Sequence, residues 1–284
     1  MVLLRPATVV YEAIHDGTEE AQGVREDAQP MREKFWFLKQ CQLFEQIPED
    51  HLSWLESQSR VKRFPKGTPV YLPVDGAQGV LLLAEGQVKL ASLTAEGKQS
   101  IMAFINPGEI FGELALLDGG ERDEYAETTQ TSTIVLMPAE AIRKIAEVTP
   151  KLALGITKLI GMRRKRIERR LKYLLFHSNR ERLVHLLLEL AEDYGTAKED
   201  GAVALSIRLS HQDLASIIGS TRESVTVLLG QLQSEELLAL GRRRIEIKSL
   251  DRLAKSVQTT PPRLKATNAS APTPVSSPVG RVAF

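Results

Sequence analysis

Between residues 60 and 138 the chain alternates short apolar runs with glycine-bearing turns. The runs Gly79–Ala84, Gln87–Leu93, Gln99–Ile105 and Thr131–Met137 are the apolar members. The turns are Lys66-Gly67, Asp75-Gly76, Glu85-Gly86, Glu96-Gly97, Pro107-Gly108 and Gly119-Gly120. Strands at roughly ten-residue spacing with turn signals between them predict an antiparallel β-roll of the jelly-roll kind. Ahead of them, Phe35, Trp36, Leu38, Leu43 and Phe44 predict a short helix. Leu52, Trp54 and Leu55 predict a second, opened by Pro48 with Glu49 and Asp50 in its first turn.

After Pro138 the period changes. Ile142 and Ile145 mark a short helix, and Pro150 opens a long one. There Leu152, Ile156, Leu159, Ile160, Ile167, Leu171 and Leu174 recur at three- and four-residue steps, an apolar stripe on one side. At about 1.5 Å per residue such a helix outreaches a small domain. The stripe is expected to bury against a twin helix, or else against the helix's own roll. Leu183, Leu186, Leu187 and Leu190 predict an amphipathic helix over 179–194. A polar loop is expected at 195–201, a strand at 203–209, and short helices near 211–218 and 221–233. A hairpin follows, Leu237–Leu240 and Ile245–Ile247 about Gly241.

The fold class is therefore α+β. Residues 1–34 read as a flexible acidic arm, 35–149 as a β-roll domain and 150–178 as a dimerisation helix. Residues 179–256 read as a winged helix-turn-helix, and 257–284, rich in Pro, Ser, Thr and Ala, as a disordered tail.

Charge adds little globally: 37 Lys and Arg against 36 Asp and Glu leave a net +1 over 284 residues. Only a local patch can point to a partner. The first 30 residues set Glu12, Asp16, Glu19, Glu20, Glu26 and Asp27 against Arg5 and Arg25. The single cysteine, Cys41, excludes an intrachain disulfide, a four-thiolate iron–sulfur cluster and a structural zinc site of the usual kind. No run of 18 apolar residues suggests a membrane span, and the N-terminus lacks a charged region before its short apolar stretch. A cytoplasmic location is expected.

The chemistry-bearing stretch is LSHQDLASIIGSTRESVTVLLGQLQSEELLAL. Ser210 can cap a helix whose apolar face is Leu214, Ile217 and Ile218. Gly219 supplies the left-handed residue that ends it. Ser220 or Thr221 caps the next helix, whose Val225, Leu228, Leu229 and Leu232 face the core. That leaves Arg222, Glu223, Ser224, Thr226 and Val227 outward at its start, the layout of a helix-turn-helix whose second helix enters the major groove. Arg242, Arg243 and Arg244 make the hairpin a wing able to meet phosphates. With Ser210, Gln212 and Thr221, these are the candidate contacts to double-stranded DNA.

From about Phe35 to Leu250 the chain resembles the catabolite-activator (CRP/FNR-type) family of bacterial transcription factors. The likeness is carried by the Lys66-Gly67 and Glu85-Gly86 turns, Phe111-Gly112-Glu113-Leu114, the long helix and Ser220-Thr221-Arg222-Glu223-Ser224-Val225. Residues 179–250 look most like the nitrogen-control branch. The resemblance implies a homodimer on a two-fold symmetric operator, with the sensor setting the spacing of the recognition helices. It places Arg222 against guanine, Glu223 against cytosine and Ser224 on a phosphate. Val227 stands where the family often has a second base-reading arginine, so one half-site position should be read less strictly or through a thymine methyl. Activation would need a surface for RNA polymerase, and no residue pattern identifies one.

The family holds a small anion between the roll and the long helices. The resemblance places Gly112, Glu113, Leu114 and Arg122 in that pocket. Two carboxylates, Asp123 and Glu124, follow Arg122 where the cyclic-AMP motif has serine, and Ile167-Glu168 replace its hydroxyl pair. These replacements count against a cyclic nucleotide. The nitrogen-control branch instead senses 2-oxoglutarate, and Arg122, Arg163 and Glu168 match the spacing of its ligands. A ligand-independent regulator of the same fold, or a dimeric scaffold that does not bind DNA, remains open. The basic run Arg163–Arg170 reads as a solvated face beside the dimer seam, with contact to an acidic partner or to the Asp123/Glu124 loop left open. His15, His51, His177, His185 and His211 are isolated in sequence and read as structural rather than as haem or metal ligands. Glu113, Asp118, Glu121, Asp123 and Glu124 cluster, but no nucleophile–His–acid set, phosphate-binding loop or HExxH accompanies them, so no catalytic residue is assigned.

Overall fold

A computed structural model describes residues 36–73, 75–77, 79–94, 98–117, 122 and 124–264. The expected acidic arm, Asp118, Glu121, Asp123 and most of the expected tail lie outside the described residues. The chain divides into two compact units between Leu175 and Phe176.

In the first unit, residues 36–39 are helical and a single 3₁₀ turn, Gln42–Phe44, precedes α1 (Glu49–Gln58). Then come β1 (Arg60–Phe64), β2 (Pro69–Tyr71), β3 (Gly79–Glu85), β4 (Val88–Leu93), β5 (Gln99–Ile105), β6 (Ile110–Phe111), β7 (Tyr125–Thr128) and β8 (Ser132–Pro138). Two antiparallel sheets of order β1-β8-β3-β6 and β2-β7-β4-β5 form the expected roll. β3 shows why its sequence is an unbroken apolar run rather than an alternation. Leu81 and Leu83 point into the inter-sheet core with Leu90, Ile105 and Phe111. Val80, Leu82 and Ala84 point the other way, into a second core with Leu52 and Leu55 of α1. Opposite faces of one strand are buried because successive side chains alternate. Each fully buried leucine contributes about 1.5–3 kcal/mol. Cys41 lies in the second core, where burial pushes its thiol up to about 11, so it is a packing residue and not a nucleophile.

α2 (Ala139–Val148) closes that core with Ile142 and Ile145, and α3 (Pro150–Phe176) follows. The apolar stripe of α3 divides. Leu152 and Ile156 are buried in the core, with Leu159 and Ile160 packed beside it. Ile167, Leu171 and Leu174 remain 52%, 53% and 44% exposed. The start of the stripe thus packs on its own roll, and its end, from Ile167 on, is exposed.

The second unit contains α4 (Asn179–Tyr194), β9 (Gly195–Ala197), β10 (Val203–Leu205), α5 (His211–Ile218), α6 (Arg222–Ser234), β11 (Leu238–Gly241), β12 (Arg244–Ile247) and α7 (Leu250–Lys255). Its sheet runs β11-β12-β10-β9. Three expectations change. The polar stretch after Gly195 begins with a strand, because Gly195–Ala197 pair antiparallel with Val203–Leu205. The strand from Val203 ends at Leu205. A last helix, α7, is added, capped by Ser249, whose side chain accepts from the Arg252 amide. Residues 257–264, expected in the tail, are described, and Leu264 comes within 3.0 Å of where a Cβ on Gly195 would sit.

Candidate DNA interface and sensor cleft

The sequence around Ser210 folds as its caps dictate. Ser210 and Asp213 form a reciprocal capping box at the start of α5. Gly219 ends the helix at φ 65, and Arg182 of α4 donates to the Ile218 carbonyl at 2.9 Å. Thr221 caps α6, accepting from the Ser224 amide at 3.2 Å. Val225, Leu229 and Leu232 are buried, so the opposite face carries Arg222, Glu223, Thr226 and Val227 outward, Val227 being 60% exposed.

Five of the candidate contacts converge. Ser210, Gln212, Arg222, Arg243 and Arg244 line one cleft of about 540 Å³ between the two helix starts and the hairpin. Arg242 lies in the hairpin turn outside that wall. Gly241 pairs with Arg244, so Arg242 and Arg243 form a two-residue turn, with Arg243 left-handed at φ 55. A non-glycine residue there costs about 1–2 kcal/mol, which the wing bears while projecting three exposed guanidinium groups. Three of the candidates are engaged in local hydrogen bonds. Ser210 donates to Asp213 at 2.6 Å, Thr221 to Ser224 at 3.1 Å, and Thr226 to the Arg222 carbonyl at 2.8 Å. His211 also meets the Thr226 hydroxyl at 2.8 Å, tying α5 to α6, so it is not isolated as its place in the sequence suggests. His177 and His185 are not isolated either: their rings meet edge-on at 5.2 Å.

The candidate effector cleft lies in the first unit. Gly112 is left-handed at φ 68 and opens a 3₁₀ turn, Glu113–Leu116. A Cβ there would sit 2.5 Å from Arg122 Nη1 and 2.9 Å from Leu81 Cδ1, so both backbone and space require glycine. Arg143 of α2 holds the turn by donating to the Ala115 and Leu116 carbonyls at 2.9 and 3.2 Å.

Glu113 is buried, and Arg163 of α3 donates to its carboxylate and, at 2.6 Å, to the Ile110 carbonyl. One heptad on, Arg170 donates to the Met102 carbonyl at 2.7 Å. These two arginines are thus not part of a solvated face; they fasten α3 to the roll. Their seven-residue spacing was the available signal. A cleft of about 190 Å³ lies between β4, β5 and α3, with Leu90, Met102, Leu114, Ile167, Glu113, Glu124 and Arg163 on its walls.

Arg122 and Glu168 do not line it. Arg122 donates to the Gly79 carbonyl at 2.9 Å and lies 4.0 Å over the Tyr71 ring. Glu168 pairs with Arg164 at 2.7 Å on the exposed side of α3. Tyr71 donates to Glu124 at 2.7 Å. Burial holds the Glu124 carboxyl above the ordinary carboxylate range, against the hydrogen bond from Tyr71, and Glu113 adds to the rise. Burial likewise pushes the Tyr71 phenol up, with Glu124 acting in the same direction. Among the described residues no cluster of His, Cys, Asp and Glu could hold a metal ion, and no helix is long and apolar enough to cross a membrane.

Two family models match the two units. Residues 61–148 match the cyclic nucleotide-binding domain and residues 181–256 the Crp-like helix-turn-helix domain. The global nitrogen regulator of Synechococcus elongatus is 32% identical over 190 residues, 66% of this chain and 85% of the relative. The CRP-like cAMP-activated global transcriptional regulator of Mycobacterium tuberculosis is 25% identical over 218 residues, 77% of this chain and 97% of the relative. A solved CRP/FNR-family transcriptional regulator from Thermus thermophilus superimposes with a TM-score of 0.57 at 28% identity, covering 70% of this chain and 99% of that one.

Proposed function

The chain belongs to the CRP/FNR family of DNA-binding transcriptional regulators, and on that premise we propose that it acts as a homodimer on a two-fold symmetric operator. The convergence of Ser210, Gln212, Arg222, Arg243 and Arg244 on one cleft carries this reading. In it, Arg222 spans O6 and N7 of a guanine, Glu223 accepts from a cytosine amine, and the wing arginines meet phosphate. The exposed Ile167, Leu171 and Leu174 form the dimer seam. The protein is a binding protein rather than an enzyme, as its relatives are regulators, and works in the cytoplasm.

The cleft fits a cyclic nucleotide poorly. Its volume of about 190 Å³ falls below the roughly 300–1,000 Å³ usual for ligand sites. Ile167 supplies no hydroxyl, and Glu113 and Glu124 would face a cyclic phosphate. The guanidinium groups of Arg122 and Arg163 are already engaged within the protein. On this reading the resting protein binds DNA without an effector. Arg163 on the cleft wall favours a second reading, a small dicarboxylate such as 2-oxoglutarate. That ligand would have to offset the loss of the Arg163–Glu113 pair, and it would act only through different affinity for two dimer states.

Selection from a random double-stranded DNA pool tests this. Ligand-free protein is expected to enrich an inverted repeat with half-sites about 34 Å apart, one helical turn. Enrichment only with 2-oxoglutarate would replace the ligand-independent reading by the second. Enrichment only with a cyclic nucleotide would overturn both readings of the cleft, and none in any condition would overturn the operator. On the recovered half-site, Val227→Arg is expected to add about 1–3 kcal/mol of discrimination at one position. Unchanged base preferences would remove Val227 from the reading face.

A further inference from the structure

Nine of the 27 residues of α3 are Lys or Arg, and Glu168 is its one acid. Arg163 and Arg170 are directed at the roll, and Arg164 at Glu168. Lys151, Lys158, Lys165 and Lys172 recur at every seventh residue, and all four are exposed. Their position on the helix is fixed by their neighbours. Ile156, Arg163 and Arg170 face the roll, and the lysines at 158, 165 and 172 each come two residues later, about 200° around the axis. They therefore form a ridge on the far side of α3 that drifts about 20° around the axis per heptad. The 21 residues from Lys151 to Lys172 span about 31 Å at 1.5 Å per residue. The ridge also lies away from Ile167, Leu171 and Leu174, so it stays open in a dimer built on that stripe. Among the described residues none of the four lysines is in an ion pair. Successive lysines stand about 10.5 Å apart, close to the Debye length of about 10 Å at 0.1 M salt, so their fields overlap into one positive strip only at low salt.

The chain itself carries the complementary charge. Between Pro6 and Val24 it has Glu12, Asp16, Glu19 and Glu20 and no Lys or Arg. This segment joins the described structure at Trp36. Phe37 and Leu38, which follow, pack in the same core as Leu152 and Ile156 of the first two turns of α3. The arm is thus rooted beside the start of the ridge. The stretch from Glu20 to Trp36 can reach about 50 Å when extended, more than the ridge is long. A tether of this length holds the two charge sets at an effective concentration on the order of millimolar.

We propose that the segment around residues 12–20 docks along the lysine ridge of α3 in the same chain, carboxylate to ammonium. Docking neutralises the ridge and covers a surface that would otherwise attract phosphate backbones without regard to sequence.

Zero-length carbodiimide cross-linking of the full chain, followed by digestion and mass spectrometry, tests the proposal. Cross-links are expected from Glu12, Asp16, Glu19 or Glu20 to Lys151, Lys158, Lys165 or Lys172. Their yield should fall about tenfold between 0.05 and 0.5 M salt, as screening of exposed charges requires. Replacing the four lysines by glutamate should abolish them. Replacing the four acids by lysine in that variant should restore them with the roles exchanged. Absence of these cross-links, or cross-links from the same acids mainly to other lysines, overturns the proposal. Mixing isotopically labelled and unlabelled chains identifies the source of the arm, and predominantly mixed-label cross-links overturn the assignment to the same chain.

Discussion

Arg222→Ala is expected to weaken binding to the selected operator by about 2–6 kcal/mol, roughly 30-fold to 10⁴-fold. A bidentate arginine–guanine contact contributes about 1–3 kcal/mol of discrimination, and a dimer loses two of them at well-separated sites, where such losses add. The side chain starts α6, is exposed, and lines the cleft shared with the wing. The variant should fold as the wild type does, because Arg222 accepts its structural bond from Thr226 through its backbone carbonyl and not through its side chain. The expected signature is selective. Affinity for random DNA should hardly change, and the slope of affinity against salt should stay nearly constant. Fluorescence anisotropy against operator and scrambled duplexes over a salt series separates the outcomes. An equal loss on both duplexes with a shallower salt slope would make Arg222 a phosphate contact and leave guanine reading to another residue.

What was legible in the sequence follows from what is local. Caps, turn glycines and the apolar period act over four to ten residues. The helix-turn-helix is an example: Ser210, Gly219 and Thr221 mark its boundaries, and α5 and α6 end within a residue of expectation. The β-roll strands were legible for the same reason. β9 was not, because Gly195–Ala197 has no alternation of its own and becomes a strand only by pairing with β10. The sensor cleft was harder still. Arg122, Arg163 and Glu168 have the right spacing, but spacing does not say which partner a long side chain takes. Here the nearer partners win: the Gly79 carbonyl for Arg122, Glu113 for Arg163, and Arg164 for Glu168. Arg170 was hidden within a basic run because its carbonyl partners, on β5, are 68 and 69 residues away in sequence.

Arg163→Met is expected to destabilise the first unit by about 2–4 kcal/mol. Removing one partner of a fully buried ion pair costs about 3–5 kcal/mol, because the other charge is left unpaired. Here Glu113 is 7% exposed and Arg163 20%, so some water reaches the pair and the figure is reduced. The Ile110 carbonyl also loses its donor. The loss should be insensitive to salt, unlike that of a surface pair. Glu113→Leu combined with Arg163→Met should recover more than half of it, since replacing both partners by apolar groups removes the stranded charge. Urea melts of the two single variants and the double variant provide the cycle. A loss below about 0.5 kcal/mol for Arg163→Met would show that the pair is solvated and carries little energy. The two results have different consequences for sensing. If the pair is strong, a small anion that draws Arg163 away must supply several kcal/mol before it can shift the dimer. The ligand-free protein then stays in one state, which on the ligand-independent reading is the one that binds DNA. If the pair is weak, Arg163 is available to a ligand at little cost, and the dicarboxylate reading gains what the ligand-independent one loses.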